Sequence, residues 1–162
     1  MNGGSAQGII EAFVESLNSG DHGRIVDLLT SDAVQTEPAH ESTFRGPDDI
    51  AKNFLAYRNT FPDIHLTVVD SFTCGDRAAV ECDVTGTYEP YTYGSSAQKI
   101  KWPLCMVMQL SGDKIHTIQV YADRLAILDQ LGALPESPTT VQPGEHGFAY
   151  RRLEPVVRNA QS

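Results

Sequence analysis

The spacing of apolar residues divides the chain into a helical half and a strand half. Ile9, Ile10, Phe13, Val14 and Leu17 recur at helical spacing, so a first helix starts near Ala6 and ends at Asn18-Ser19-Gly20. Asp21 is placed to cap a second short helix over residues 22–29, with Ile25, Val26, Leu28 and Leu29 inward. Residues 32–38 read as a short strand closed by Pro38, and 39–45 as a polar connection containing His40. Gly46-Pro47-Asp48-Asp49 carries proline and two acids where a helix begins, and Ile50, Phe54, Leu55 and Tyr57 give that helix an inward face to about Thr60.

From Ile64 the period changes to two. Residues 65–72, 77–88, 99–110 and 114–121 form four strand-like stretches punctuated by turns such as Cys74-Gly75-Asp76 and Ser111-Gly112-Asp113. Ala78, Val80, Cys82 and Val84 alternate with Ala79, Glu81, Asp83 and Thr85, giving one dry and one wet face. A last helical stripe, Leu125, Ile127, Leu128, Leu131 and Leu134, ends at Gly132 and Pro135. Helices followed by an antiparallel meander make an α+β domain over residues 1–135, with a curved sheet burying its concave side against the early helices and leaving room for a pocket. Residues 136–162 are rich in Pro, Thr and Gly and form an extension that serves as a lid, a dimer arm or a partly disordered tail.

Composition narrows the partners. A chain of 162 residues buries about 70 per cent of its unfolded surface, enough for a core and a cavity. A net charge of -9 argues against nucleic acid and anionic membrane surfaces. No apolar run approaches the roughly 20 residues of a membrane span, and MNGGSAQG does not read as a signal peptide, so a soluble cytoplasmic protein is expected. Cys74, Cys82 and Cys105 lack CxxC spacing and read as reduced structural residues. His22, His40, His65, His116 and His146 lack the i, i+4 pairing of a metal site.

The chemistry centres on residues 110–135. Asp123 stands where strand period gives way to helical period, and either caps the helix or carries a proton. With Asp123 facing a cavity, Tyr121 and Gln119 share its side, and Ile118, Val120 and Ala122 take the other. Tyr57 is either core filler or a hydroxyl aimed into the cavity; Trp102, Met106 and Met108 line apolar volume. His65 is structural or catalytic, Glu37 by itself reads as a solvated loop acid, and the tyrosines of residues 88–96 form a rim for a flat ligand or are turn and interface residues.

Phe44-Arg45-Gly46-Pro47-Asp48-Asp49-Ile50, Phe61-Pro62-Asp63, Gly86-Thr87-Tyr88 and the stretch from Gly112-Asp113-Lys114-Ile115 through Tyr121-Ala122-Asp123 to Leu131-Gly132-Ala133 stand in one order. In this the chain resembles the SnoaL-like polyketide cyclases of the NTF2-like fold group, over roughly residues 6–135. The resemblance implies a cone with an internal pocket, a homodimer joined through the outer sheet face, and a cofactor-independent, metal-free aldol ring closure of a hydrophobic or aromatic polyketide in secondary metabolism. It implies Asp123 as the acid/base. It places Glu37-Pro38 where the isomerase branch carries its general-base Asp-Pro, and Tyr88 where the family usually has His. Two further readings stay open: Glu37 and Asp123 together opening an epoxide, as in polyether-type relatives, or a non-catalytic ligand-binding member.

Overall fold

The computed structural model describes residues 5–90 and 96–133. The tyrosine loop at Tyr91 and Tyr93, Leu134, Pro135 and the extension over 136–162 lie outside the described residues. The elements are α1 (Ala6–Ser19), α2 (His22–Asp27), β1 (Leu29–Glu37), a 3-10 turn (Pro38–His40), β2 (Ser42–Arg45), α3 (Pro47–Thr60), β3 (His65–Cys74), β4 (Arg77–Tyr88), β5 (Gln98–Ser111), β6 (Lys114–Ala122) and α4 (Arg124–Gln130). The six strands form one sheet in the order β2-β1-β6-β5-β4-β3. All neighbours are antiparallel except β1 and β6, which run parallel. This is the expected α+β arrangement of helices on one face of a mixed sheet. No described helix is long and apolar enough to cross a membrane.

Two parts of the first half differ from the sequence reading. The first strand begins at Leu29, because Leu29 pairs with Ile115 across the parallel contact with β6; the second helix therefore stops at Asp27. The polar connection 39–45 contains a strand. Glu41 adopts φ 52° and turns the chain so that Glu37 pairs with Ser42 and Val34 with Arg45. A four-residue edge strand of mixed polarity carries too little alternation to be read from sequence.

The concave face is dry. Ile100, Trp102, Met106 and Met108 on β5 and Val80, Cys82 and Val84 on β4 are buried with Ile10, Phe13 and Ile50 from the helices, and Phe13 meets Phe54 edge to face at 5.6 Å. Asn18 at the end of α1 clasps the backbone of Leu66 with both side-chain atoms, at 2.9 and 2.8 Å. Gly20 closes α1 with φ 70°, and Arg58 donates Nη2 to the carbonyl oxygens of Leu17 and Asn18. The end of α1 is thus held by α3 and β3 together.

Two of the sequence landmarks prove to be halves of one lock. Phe61 is buried, with its ring 5.2 Å from Trp102 and 6.4 Å from Tyr88. Gly86 lies beneath it, where a Cβ would come within 2.8 Å of the Phe61 Cβ. Asp63 then accepts from the Thr87 backbone N–H at 2.6 Å and the Thr87 hydroxyl at 2.7 Å. The chain leaving α3 is pinned to β4 by one apolar and one polar contact, from Phe61 and Asp63 on one side to the adjacent Gly86 and Thr87 on the other.

Gly86→Ala has no flexible tip to displace, since the clash is with the root of the Phe61 side chain. It should lower unfolding free energy by about 1–3 kcal/mol, read as a lower urea midpoint. The Thr87 hydroxyl, and then its N–H, hold the Asp63 carboxyl below its ordinary value of 3.8. A depressed folded pKa adds stability that is present above the unfolded value and lost as pH falls through the folded one. Asp63→Asn should therefore flatten the acid limb of the stability curve below about pH 4, measured by chemical denaturation at stepped pH.

Candidate active site

Strand period brings one carboxylate inside. Ala33, Gln35 and Glu37 are buried on the same face of β1, at 1%, 0% and 7% exposure. Pro38 supplies no ladder donor and opens the 3-10 turn, which ends the strand with Glu37 as its last residue. A carboxylate so placed is tolerable only with donors around it. Gln35 Nε2 at 3.1 Å and Asn53 Nδ2 at 2.9 Å both donate to Oε1, while Arg124 Nη2 donates to Oε2 at 2.8 Å.

Three elements converge to make this cluster. Asn53 and Tyr57 lie four residues apart on α3 and so share a face. Arg124 opens α4, directly after β6. Its Nη2 reaches both Glu37 and the Tyr57 hydroxyl oxygen, at 2.7 Å, with the guanidinium carbon 5.9 Å from the centre of the tyrosine ring. The Tyr57 oxygen accepts, and among the described residues its own proton has no acceptor. Burial, and then the Glu37 charge, push the Tyr57 pKa up, partly offset by Arg124. The phenol is therefore kept protonated and able to donate. Gln35 Oε1 is buried without a partner.

The cluster forms the polar end of an apolar cavity. Glu37, Tyr57 and Arg124 line it with Phe54 from α3, Trp102 and Leu104 from β5, Val120 and Ala122 from β6, and Ile127 from α4. His40 sits at its mouth and is exposed. Among the described residues, no three His, Cys, Asp or Glu side chains gather as metal ligands.

Of the residues singled out in the sequence, Glu37, Tyr57 and Trp102 come together here. Asp123 does not: its side chain is exposed and accepts from the Ala126 N–H at 3.0 Å as the N-cap of α4. Tyr121 and Gln119 are exposed on the same outer face, opposite Cys105 and Val107 of β5. Asp123 and Tyr121 line a second, outer depression with Glu81 and Cys105, which adjoins the cavity at Ala39, Leu104 and Ala122. The expected face assignment is thus inverted, for a plain physical reason. Alternation fixes which residues share a side, and the apolar set Ile118, Val120 and Ala122 belongs with the core. Glu37 and Asp123 do not face one cavity together, which removes the two-acid arrangement needed for the epoxide reading.

The remaining residues have structural places. Met106 and Met108 are buried in the core and do not line the cavity. His65 is exposed at the start of β3, since Leu66 beside it takes the inward position. Tyr88 is half-buried against Phe61. Arg124, Asn53 and Gln35 escaped the sequence reading. Arg124 was within reach of it: once Val120 and Ala122 face inward, the next residue of that parity is Arg124.

Similarity to known proteins agrees with this architecture. No curated protein matches the chain. Among solved structures, wild-type IdmH of Streptomyces antibioticus, described as a candidate polyketide cyclase, superposes with a TM-score of 0.72 at 22% identity, covering 80% of this chain and 99% of that one. AclR of Streptomyces galilaeus, described as a candidate hydroxylase, gives 0.68 at 22% identity over 82% and 87%. A Catenulispora acidiphila protein described as having a ketosteroid isomerase-like fold gives 0.67 at 20% identity over 80% and 97%. Each shares the fold. The model of the SnoaL-like domain matches residues 10–118, and with the helix-backed curled sheet and its internal cavity this makes the chain a member of the SnoaL-like domain family.

Proposed function

We propose that the chain is a polyketide cyclase that closes a ring by an intramolecular aldol reaction, with Glu37 in place of Asp123 as its proton carrier. The observation that carries this reading is the shared guanidinium: Arg124 Nη2 binds both the buried carboxylate of Glu37 and the phenol oxygen of Tyr57 at the end of an apolar cavity. Oε1 is held by two amides, so the carboxylate is oriented before substrate arrives. Glu37 takes a proton from the carbon beside a substrate ketone. The enolate oxygen receives a hydrogen bond from the Tyr57 proton, with the Arg124 charge behind it. The enolate carbon then attacks a second carbonyl of the same chain, and the new alkoxide takes back the proton from Glu37. No atoms are gained or lost.

A site with three chemical groups can supply the needed rate from two sources. Positioned proton transfer contributes about 10² to 10⁴ in rate. Holding a flexible chain folded on itself contributes up to about 7–11 kcal/mol in well-oriented intramolecular reactions. Apolar walls such as Trp102, Leu104 and Val120 serve that second purpose. A homodimer through the outer sheet face has its support in Phe72 and Tyr121, 67% and 46% exposed, and is read from the mass in solution.

The base can be tested without the natural substrate. Deuterium exchange at the methylene next to the carbonyl of 2-tetralone, followed by NMR, should be accelerated by the protein. Glu37→Gln should remove about 10² or more of that acceleration, and Tyr57→Phe about tenfold. Asp123→Asn should leave it intact, because Asn is an equivalent N-cap. Exchange that survives Glu37→Gln but not Asp123→Asn would return the role to Asp123; no acceleration at all would favour a non-catalytic binding protein.

A further inference from the structure

The charge around the cavity is opposite to that of the chain. The protein carries a net charge of -9, yet the charged residues lining this cavity are Glu37, Arg58 and Arg124, with the His40 imidazole at the mouth. Arg58 has no carboxylate partner among the described residues; its Nη2 rests on the carbonyls at the end of α1. Glu37 and Arg124 offset one another, so the lining is positive by one charge inside an acidic protein. A neutral, wholly apolar ligand would make no use of that excess.

Arg124 also has donors to spare. Both of its bonds, to Glu37 and to Tyr57, are made by Nη2. The N–H groups on Nη1 and Nε have no acceptor among the described residues, and the side chain is 40% exposed. The guanidinium is therefore anchored by one nitrogen at the lip of the cavity and open on the others. An anchored arginine presents its donors with less entropy to lose than a free one.

We propose that Arg124 selects ligands bearing a carboxylate, received at the cavity lip by an open N–H of Nη1 or of Nε, so that the substrate is a polyketide acid and not a neutral ester or amide. The inference rests on the cavity being the substrate site and adds the acidic group that the substrate must carry. The ketone of the same molecule lies deeper, toward Tyr57 and Glu37. The ligand carboxylate brings a second negative charge to the guanidinium that Glu37 already uses, so removing the Glu37 charge strengthens anion binding.

Trp102 is the only tryptophan in the chain and lines the cavity, so its fluorescence reports occupancy. Titration with 2-naphthoate and with 2-acetonaphthone, an acid and a neutral ketone of similar shape, should show the acid binding about tenfold or more tightly, as a charge-assisted hydrogen bond gives. Arg124→Met should abolish the preference, weakening the acid at least tenfold more than the ketone, and Glu37→Gln should raise the ratio of acid to ketone affinity. Equal binding of the two ligands to the wild type, a preference that survives Arg124→Met, or a ratio that Glu37→Gln fails to raise would each overturn the proposal. Should the Met variant fail to fold, Arg124→Lys decides: it should retain part of the preference, and an unchanged one would point to Arg58 or His40 instead. Acid preference without deuterium exchange in 2-tetralone would remove the base and leave this selection standing; the reverse would remove the selection alone.

Discussion

A single buried carboxylate governs how the open end of this fold is built. Glu37 sits at the last inward position of β1, and its charge could not stay there without donors, since an unpaired buried ion costs several kcal/mol. The chain meets the requirement from three directions: Gln35 two residues earlier on the same strand, Asn53 from α3, and Arg124 from the start of α4. Arg124 in turn fixes the Tyr57 hydroxyl. The Asp123 cap holds the first turn of α4 in place, and so sets where Arg124 begins. Asp123 thus supports the site from outside without entering it.

The rest of the fold keeps that end of the cone in register. The hairpin between β1 and β2 fixes where β1 stops, and the parallel contact with β6 brings the start of α4 next to Glu37. On the far side, Phe61 over Gly86 and Asp63 on Thr87 fasten α3 to β4. Tyr57 and Asn53 lie one to two turns before that fastening, so the position of the donors depends on it. Motifs that are weak as strings of letters therefore have a common purpose: they hold α3 against the sheet.

Much of the fold was legible because amphipathic period is a strong signal over long elements. α3 and β4 match their predicted ranges, β3, β5 and β6 differ by a residue or two at their ends, and β1 begins three residues earlier than its pattern suggests. β2 was not legible, being four residues whose pairing depends on a turn at Glu41. The site was legible in part. Glu37, Tyr57 and Trp102 were flagged as candidates, but anchoring the β6 face on a conspicuous acid inverted it. The apolar residues Ile118, Val120 and Ala122 were the better guide, since burying three of them outweighs the placing of one charge that is content as a helix cap. The amides of Gln35 and Asn53 gave no signal of their own; their role exists only through contact with Glu37.

The account stands on the coupling between Glu37 and Arg124. It is tested most directly by a double-mutant cycle on stability, comparing urea unfolding of wild type, Glu37→Gln, Arg124→Met and the double variant. A coupled pair predicts that the second substitution costs less once the first is made, with an interaction of about 1 kcal/mol or more. Strictly additive losses would mean that the two charges do not balance one another, and would contradict the account.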